Sequence, residues 1–189
     1  MNTFALFGVS TMVSLVTSAV AALLFAWPWL QNMDPKRALT VLVAPHMFLR
    51  FLGLSFLVPG VVSPLLPAGF AVPAAYGDVI AGILAIVTTI ALAKRAWWAI
   101  PSVWLFNLWG AADFLFAFYR GGQVGLQPGM LGAAFFIVTA LVPPLLVSHA
   151  VIFRLLARRQ STADSSRNQQ SEHVELRRRP AQSTAPQLH

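Results

Sequence analysis

Five long apolar stretches make up most of the chain before about residue 160, and short polar or glycine- and proline-rich segments separate them. Each stretch has roughly the 20 residues that an α-helix needs to cross the hydrocarbon core of a membrane. The pattern therefore predicts an all-α fold, a polytopic bundle of about five transmembrane helices. The predicted spans cover residues 3–30, 39–62, 74–93, 96–119 and 130–156.

The apolar pattern stops near residue 160, and the remaining sequence is rich in serine and glutamine. A segment of this composition has too little apolar surface to offset the entropy lost on folding. We predict a single membrane domain over residues 1–159 and a disordered cytoplasmic tail over residues 160–189.

Composition supports the membrane assignment, because 57% of the 189 residues are hydrophobic and only 10% are charged. Soluble domains carry about a quarter charged residues. The net charge of +7 does not indicate nucleic-acid binding, since most basic residues flank apolar stretches or lie in the tail. The sequence has no cysteine, no glycine-rich phosphate loop, no HExxH motif and no serine elbow, and these absences favour a role other than catalysis.

The basic residues alternate between the two ends of the predicted helices. Residues 36–37 and 94–95 are Lys-Arg pairs that follow the first and third stretches. The segment after the second stretch has no basic residue, and the one after the fourth has only Arg120. Because cytoplasmic loops are enriched in lysine and arginine, we expect a cell-membrane protein with an outer N-terminus and a cytoplasmic C-terminus.

Arg50 lies near the middle of the second stretch, where a guanidinium needs a partner or a polar cavity. At a rise of about 1.5 Å per residue, Arg50 and Asn107 each lie about 17 Å from the cytoplasmic ends of their helices. The side chain of Asp113 leans inward, and we predict an Arg50–Asp113 ion pair with Asn107 at its edge. Gly110 would leave room there for a helix, a water or a ligand. The pair either locks two helices together or belongs to a site for a small molecule, an ion or protons.

Asp78 is a further member of this candidate polar site. It follows Gly77 near the predicted outer start of the third helix, so its side chain should lean toward the lipid headgroups. A carboxylate in that position can cap free backbone amides, and the sequence favours this capping role for Asp78.

His46 and His149 have similar predicted depths on different helices. Two such histidines are what bis-histidine ligation of a haem b requires, and a quinone bound near them is the other redox hypothesis. Alternatively, His149 bonds a carbonyl that Pro143 and Pro144 leave without a donor.

Residues 50–60, with the sequence RFLGLSFLVPG, resemble the opening helix of DoxX-type small membrane proteins. Asp78 and Gly82 are similar to the acidic residue and glycine in the next helix of that family. The chain departs from the pattern by lacking the lysine after Gly60 and by having an additional leading helix. The resemblance implies a four-helix unit that is sometimes an accessory to quinone or thiol redox systems.

The leading hypothesis is a non-enzymatic membrane protein that acts through Arg50, Asp113 and Asn107. It would bind or move a small molecule, or support a larger membrane assembly. One alternative is a redox subunit that holds haem or quinone near His46 and His149. Another is a structural partner of other membrane proteins, with no ligand.

Overall fold

A computed structural model describes residues 2–178 of the chain, and every regular element in that range is helical. The all-α prediction is confirmed, and five helices are long and apolar enough to cross a membrane. We name them α1 to α5 in chain order. Their bounds as candidate spans are Thr3–Leu30, Pro35–Leu57, Ala68–Ala93, Ala99–Gln123 and Ile137–Arg159.

The second helix, α2, begins four residues before its predicted start. Asp34 caps it, with Oδ2 accepting hydrogen bonds from the backbone N–H groups of Lys36 and Arg37 at 3.1 Å. Proline at the first helical position has no N–H to leave unpaired, so Pro35 is favourable there. The sequence-based boundary was placed too late because the charged residues of the first turn interrupt the apolar pattern.

The second half of α2 is a 3₁₀ helix over Arg50–Leu57, which follows a short α-helical turn over His46–Leu49. Side chains three apart eclipse one another in a 3₁₀ helix. The buried residues of this segment are accordingly Arg50, Gly53 and Phe56. The tighter winding therefore places Gly53 directly beside Arg50 on the inner face.

The third helix, α3, begins at Ala68, six residues before its predicted start, and contains Pro73. Pro73 cannot donate a hydrogen bond to the carbonyl of Gly69 four residues earlier. Arg120 of α4 replaces that donor, with Nε and Nη2 lying 3.2 and 3.0 Å from the Gly69 oxygen. Residues 63–73, which lie between the second and third predicted spans, are therefore helical from Ala68 onward, and the predicted boundary is wrong.

Two connecting segments at the same end of the bundle are bound to each other. Ser63 donates its backbone N–H to Met130 at 3.0 Å, and Ala133 donates to Val61 at 2.9 Å. Gly132 has a φ of +52°, and a Cβ there would overlap the carbonyl oxygen of Val61. Only glycine allows both this backbone conformation and this approach.

The fifth span starts with a π-helical turn over Ile137–Leu141 and continues in the α-helix Val142–Arg178. Residues 160–178, which belong to the predicted disordered tail, are thus helical in the backbone, and residues 179–189 lie outside the described residues. The chain divides into two compact units, with the boundary between Phe153 and Arg154. The site described below lies entirely in the first unit.

Candidate functional site: a buried arginine between two aspartates

The guanidinium of Arg50 lies at the centre of the first unit, with none of its side chain exposed. Four of its five N–H groups donate hydrogen bonds. Nη1 donates to Asp78 Oδ1 at 2.7 Å and to Asp113 Oδ2 at 2.8 Å. Nη2 donates to the carbonyl oxygen of Gly110 at 2.7 Å and to His149 Nε2 at 3.0 Å. The remaining group, Nε–H, has no acceptor among the described residues.

The predicted Arg50–Asp113 ion pair is confirmed, and Arg50 forms a second ion pair that was not predicted, with Asp78. Asp78 approaches the same nitrogen from α3, so one guanidinium nitrogen joins two carboxylates. The expectation that Asp78 caps a helix terminus and leans outward is wrong. With α3 starting at Ala68, Asp78 lies ten residues into the helix, a rise of about 15 Å.

An aromatic ring covers one face of the guanidinium. The Cζ atom of Arg50 lies 3.5 Å from the ring centroid of Phe114, which is itself buried. The ring quadrupole attracts the cation, and this attraction strengthens where water is excluded. Phe114 thus joins the two carboxylates in stabilising a charge that hydrocarbon alone would disfavour.

The hydrogen bonds of His149 define its protonation. A guanidinium can only donate, so His149 Nε2 must offer a lone pair to Arg50. His149 Nδ1 then carries the proton and donates to Asn107 Oδ1 at 2.7 Å. Asn107 in turn donates through Nδ2 to the His149 carbonyl at 3.2 Å. Asn107 therefore lies at the edge of the site, as predicted, and fixes a neutral tautomer of His149.

His46 is buried beside His149, with 4.7 Å between the two ring centroids. Its Nε2 lies 2.8 Å from the Ser148 hydroxyl, which itself donates to the Leu145 carbonyl at 2.7 Å. Because that hydroxyl proton is already used, His46 Nε2 donates, and Nδ1 has no partner among residues 2–178. The alternative in which His149 only bonds a carbonyl freed by Pro143 and Pro144 is wrong.

The two histidines do not fit bis-histidine ligation of haem. Ligation needs a lone pair on each ring and space for the macrocycle between them. His149 Nε2 is engaged by Arg50, its Nδ1 carries a proton, and the close approach of the rings leaves no room for a porphyrin. No mechanism through haem follows from this arrangement.

Three glycines make the space for these charged groups. A Cβ at Gly53 would overlap the Asp78 carboxylate, and one at Gly77 would overlap Asp113. At Gly110, a Cβ would lie 2.5 Å from His149 Cε1 and 2.9 Å from Arg50 Nη2. The prediction for Gly110 holds in the sense that its missing side chain admits His149 and the guanidinium.

An apolar cavity of about 200 Å³ extends from the two carboxylates toward the end of α4. Asp78 and Asp113 are its charged lining residues, and 11% and 9% of their side chains are exposed. Aromatic residues dominate the remaining wall, which includes Phe7, Phe56, Phe70, Phe114 and Phe118. Neither His46 nor His149 belongs to this lining.

Sequence reasoning missed the cavity and the contacts of Phe114 and Ser148. Phe114 directly follows Asp113, and Ser148 directly precedes His149, which are both candidate site residues. The spacing gave no signal for them, because phenylalanine and serine are common in membrane helices. Gly53, three residues after Arg50, was noted only for the resemblance.

The helices and this cluster define a multi-pass membrane protein with an arginine–diaspartate site buried among its spans. The chain belongs to the family DUF8737, a domain of unknown function, whose model matches residues 6–157. No curated protein and no solved structure matches the chain.

Proposed function

We propose that this protein binds a small molecule within the membrane, in the cavity that ends at Asp78 and Asp113. The observation that supports this proposal is the cavity itself. A pair of carboxylates that served only to neutralise Arg50 would need no adjoining space. An apolar cavity of about 150 Å³ is large enough to hold benzene, so about 200 Å³ accommodates a small aromatic or aliphatic compound.

The cavity can be filled from within by replacing Ala117, a lining residue on α4, with leucine. We expect mild-detergent purification of the native protein to retain a small molecule that mass spectrometry identifies, and Ala117→Leu to retain much less of it. Ala112→Leu is the matched control, because Ala112 is exposed on the same helix and lies outside the lining. It should behave like the native protein.

Two experimental results would contradict this proposal. If Ala117→Leu and Ala112→Leu retain the same compound equally, the cavity is not where it binds. If the native protein retains nothing, the arginine–diaspartate cluster is better explained as a structural link between helices.

The proposed orientation has the N-terminus outside and the C-terminus in the cytoplasm. It is supported by the 36–37 and 94–95 basic pairs, since alternating spans bring both to one end of the bundle. The lone basic residue toward the other end, Arg120, is engaged by the Gly69 carbonyl. The cavity then extends toward the outer leaflet.

The absence of cysteine permits a direct test of this orientation. We expect a membrane-impermeant thiol reagent, applied to intact cells, to label Gln127→Cys and to leave Gln31→Cys unlabelled. Both glutamines are exposed in the structure and lie at opposite ends of spans. Labelling of Gln31→Cys alone would show that the orientation is the opposite of the proposed one.

The similarity to DoxX-type proteins is part of this proposal and is supported by packing. The residues that carry the resemblance meet in space, since Arg50 pairs with Asp78 and Gly53 lies against the Asp78 carboxylate. Gly82 lies against Phe51 and the Cβ of Arg50. If the shared packing extends to a quinone-linked role, a quinone should be among the molecules that co-purify.

A further inference from the structure

The charges of the buried cluster do not balance. Arg50 contributes one positive charge, while Asp78 and Asp113 contribute two negative charges when both are ionised. His149 is neutral, because Nε2 accepts from Arg50 and Nδ1 donates to Asn107. His46 likewise needs no charge to make its bond to Ser148. With both carboxylates ionised, the cluster therefore holds one negative charge in excess.

This excess charge borders the cavity. Asp78 is 8% exposed, yet it lines the cavity, and its Oδ2 accepts no hydrogen bond within residues 2–178. Asp113 Oδ1 likewise accepts no hydrogen bond within these residues. An uncompensated charge is expensive in apolar surroundings, so the cavity favours an occupant that brings one positive charge. Without such an occupant, a proton on either carboxylate gives the same balance.

The rest of the wall suits the apolar part of a cation. Five phenylalanines line the cavity, and aromatic faces attract cations as well as hydrocarbon,. Aromatic cages recognise quaternary ammonium ligands in this way, and the two carboxylates add an attraction between opposite charges. An anion would face two carboxylates, while Arg50, already covered by its partners, is outside the lining.

We propose that the cavity selects amphipathic organic monocations, with the positive group at the Asp78–Asp113 pair and the apolar part among the phenylalanines. This inference rests on the proposed small-molecule function and specifies its ligand class. Its structural basis is that the single positive charge of Arg50 is shared by two carboxylates, so the charge of one carboxylate stays unbalanced.

Three probes of nearly equal size test the charge requirement with the full chain in mild detergent. They are 2-phenylethylammonium, 2-phenylethanol and 3-phenylpropionate, which carry charges of +1, 0 and −1. We expect the ammonium compound to raise the melting temperature and to bind about tenfold or more tightly than the alcohol. The carboxylate should not bind measurably.

Variants separate the charge requirement from the cavity. Asp78→Asn and Asp113→Asn should each remove the preference for the cation over the alcohol, because either change balances the cluster. Asp34→Asn, an exposed capping position outside the cavity, should keep that preference. Ala117→Leu should weaken the binding of both compounds, and Ala112→Leu should weaken neither.

The possible failures are distinguishable. Equal binding of cation and alcohol, tighter binding of the anion, or an intact preference in both asparagine variants overturns the cation inference while leaving a small-molecule cavity. Binding that Ala117→Leu does not affect overturns the cavity and thus the proposed function. If none of the three probes changes the melting temperature, the ligand class is wrong, and the co-purification experiment then decides the proposed function.

Discussion

Replacing both aspartates with asparagine is expected to destabilise the protein by about 3–5 kcal/mol, which is typical when a buried charge loses its partner. In Asp78→Asn/Asp113→Asn, the guanidinium of Arg50 keeps neutral acceptors and the Phe114 ring but has no negative charge near it. Neutral acceptors do not offset the cost of removing a guanidinium from water.

Each single variant should behave quite differently. With one carboxylate left, the charge of Arg50 is balanced, and the asparagine oxygen can still accept from Nη1. We expect Asp78→Asn and Asp113→Asn to unfold within about 1 kcal/mol of the native protein, or to be slightly more stable, because the excess negative charge is gone.

Reversible unfolding in mixed micelles, or thermal unfolding in one detergent, measures these differences. Asp34→Asn is the matched control, since asparagine is as good an N-cap as aspartate and the position is exposed,. A double variant as stable as the single ones, or a single variant that loses as much stability as the double, would contradict the proposed charge balance.

The second large effect is expected from Gly110→Ala, which we predict to lose about 1–3 kcal/mol through overpacking. The added methyl group would lie 2.5 Å from His149 Cε1, 2.7 Å from His149 Nε2 and 2.9 Å from Arg50 Nη2. Neither ring nor guanidinium can withdraw without breaking the hydrogen bond between them. The variant should also bind cationic probes more weakly, because displacing Arg50 disturbs both carboxylates.

Gly8→Ala in α1 provides the control, since Gly8 is exposed, lies outside the cavity lining, and a Cβ there meets nothing within 4 Å. Alanine has a higher helix propensity than glycine by up to about 1 kcal/mol, so this variant should be unchanged or slightly stabilised. Equal stabilities for the two alanine variants would show that the cluster adjusts without strain, contrary to what its close packing implies.

The boundary of α3 explains the main error of the sequence-based prediction. Pro64, Pro67 and Pro73 together predict a loop from the sequence alone, but Pro73 lies inside α3. Pro73 is helical because Arg120, 47 residues later in the sequence, donates to the carbonyl that the proline leaves free. That compensation is invisible in the local pattern, and it moved Asp78 from a helix terminus to the interior.

The contacts of the polar cluster could likewise be predicted only in part from the sequence. That Arg50 needs a partner follows from its position in an apolar stretch, and the choice of Asp113 followed from depth and side-chain direction. The contact with Asp78 depends on the start of α3, while the contacts of His149 depend on the rotation of α5 against α4. Helix rotation is decided by packing between helices, for which a single sequence gives weak signals.

The sequence by itself determined that this is a helical membrane protein, how many spans it has and that one span carries a buried cation. These properties follow from the free energy of transferring each stretch to hydrocarbon, which depends mainly on local composition. Only the tertiary structure decided that two carboxylates share the arginine, that His149 is neutral and that a cavity adjoins the aspartates. The contacts of Arg50 join residues 28 to 99 positions apart in the chain, and such distances are fixed only when the helices pack.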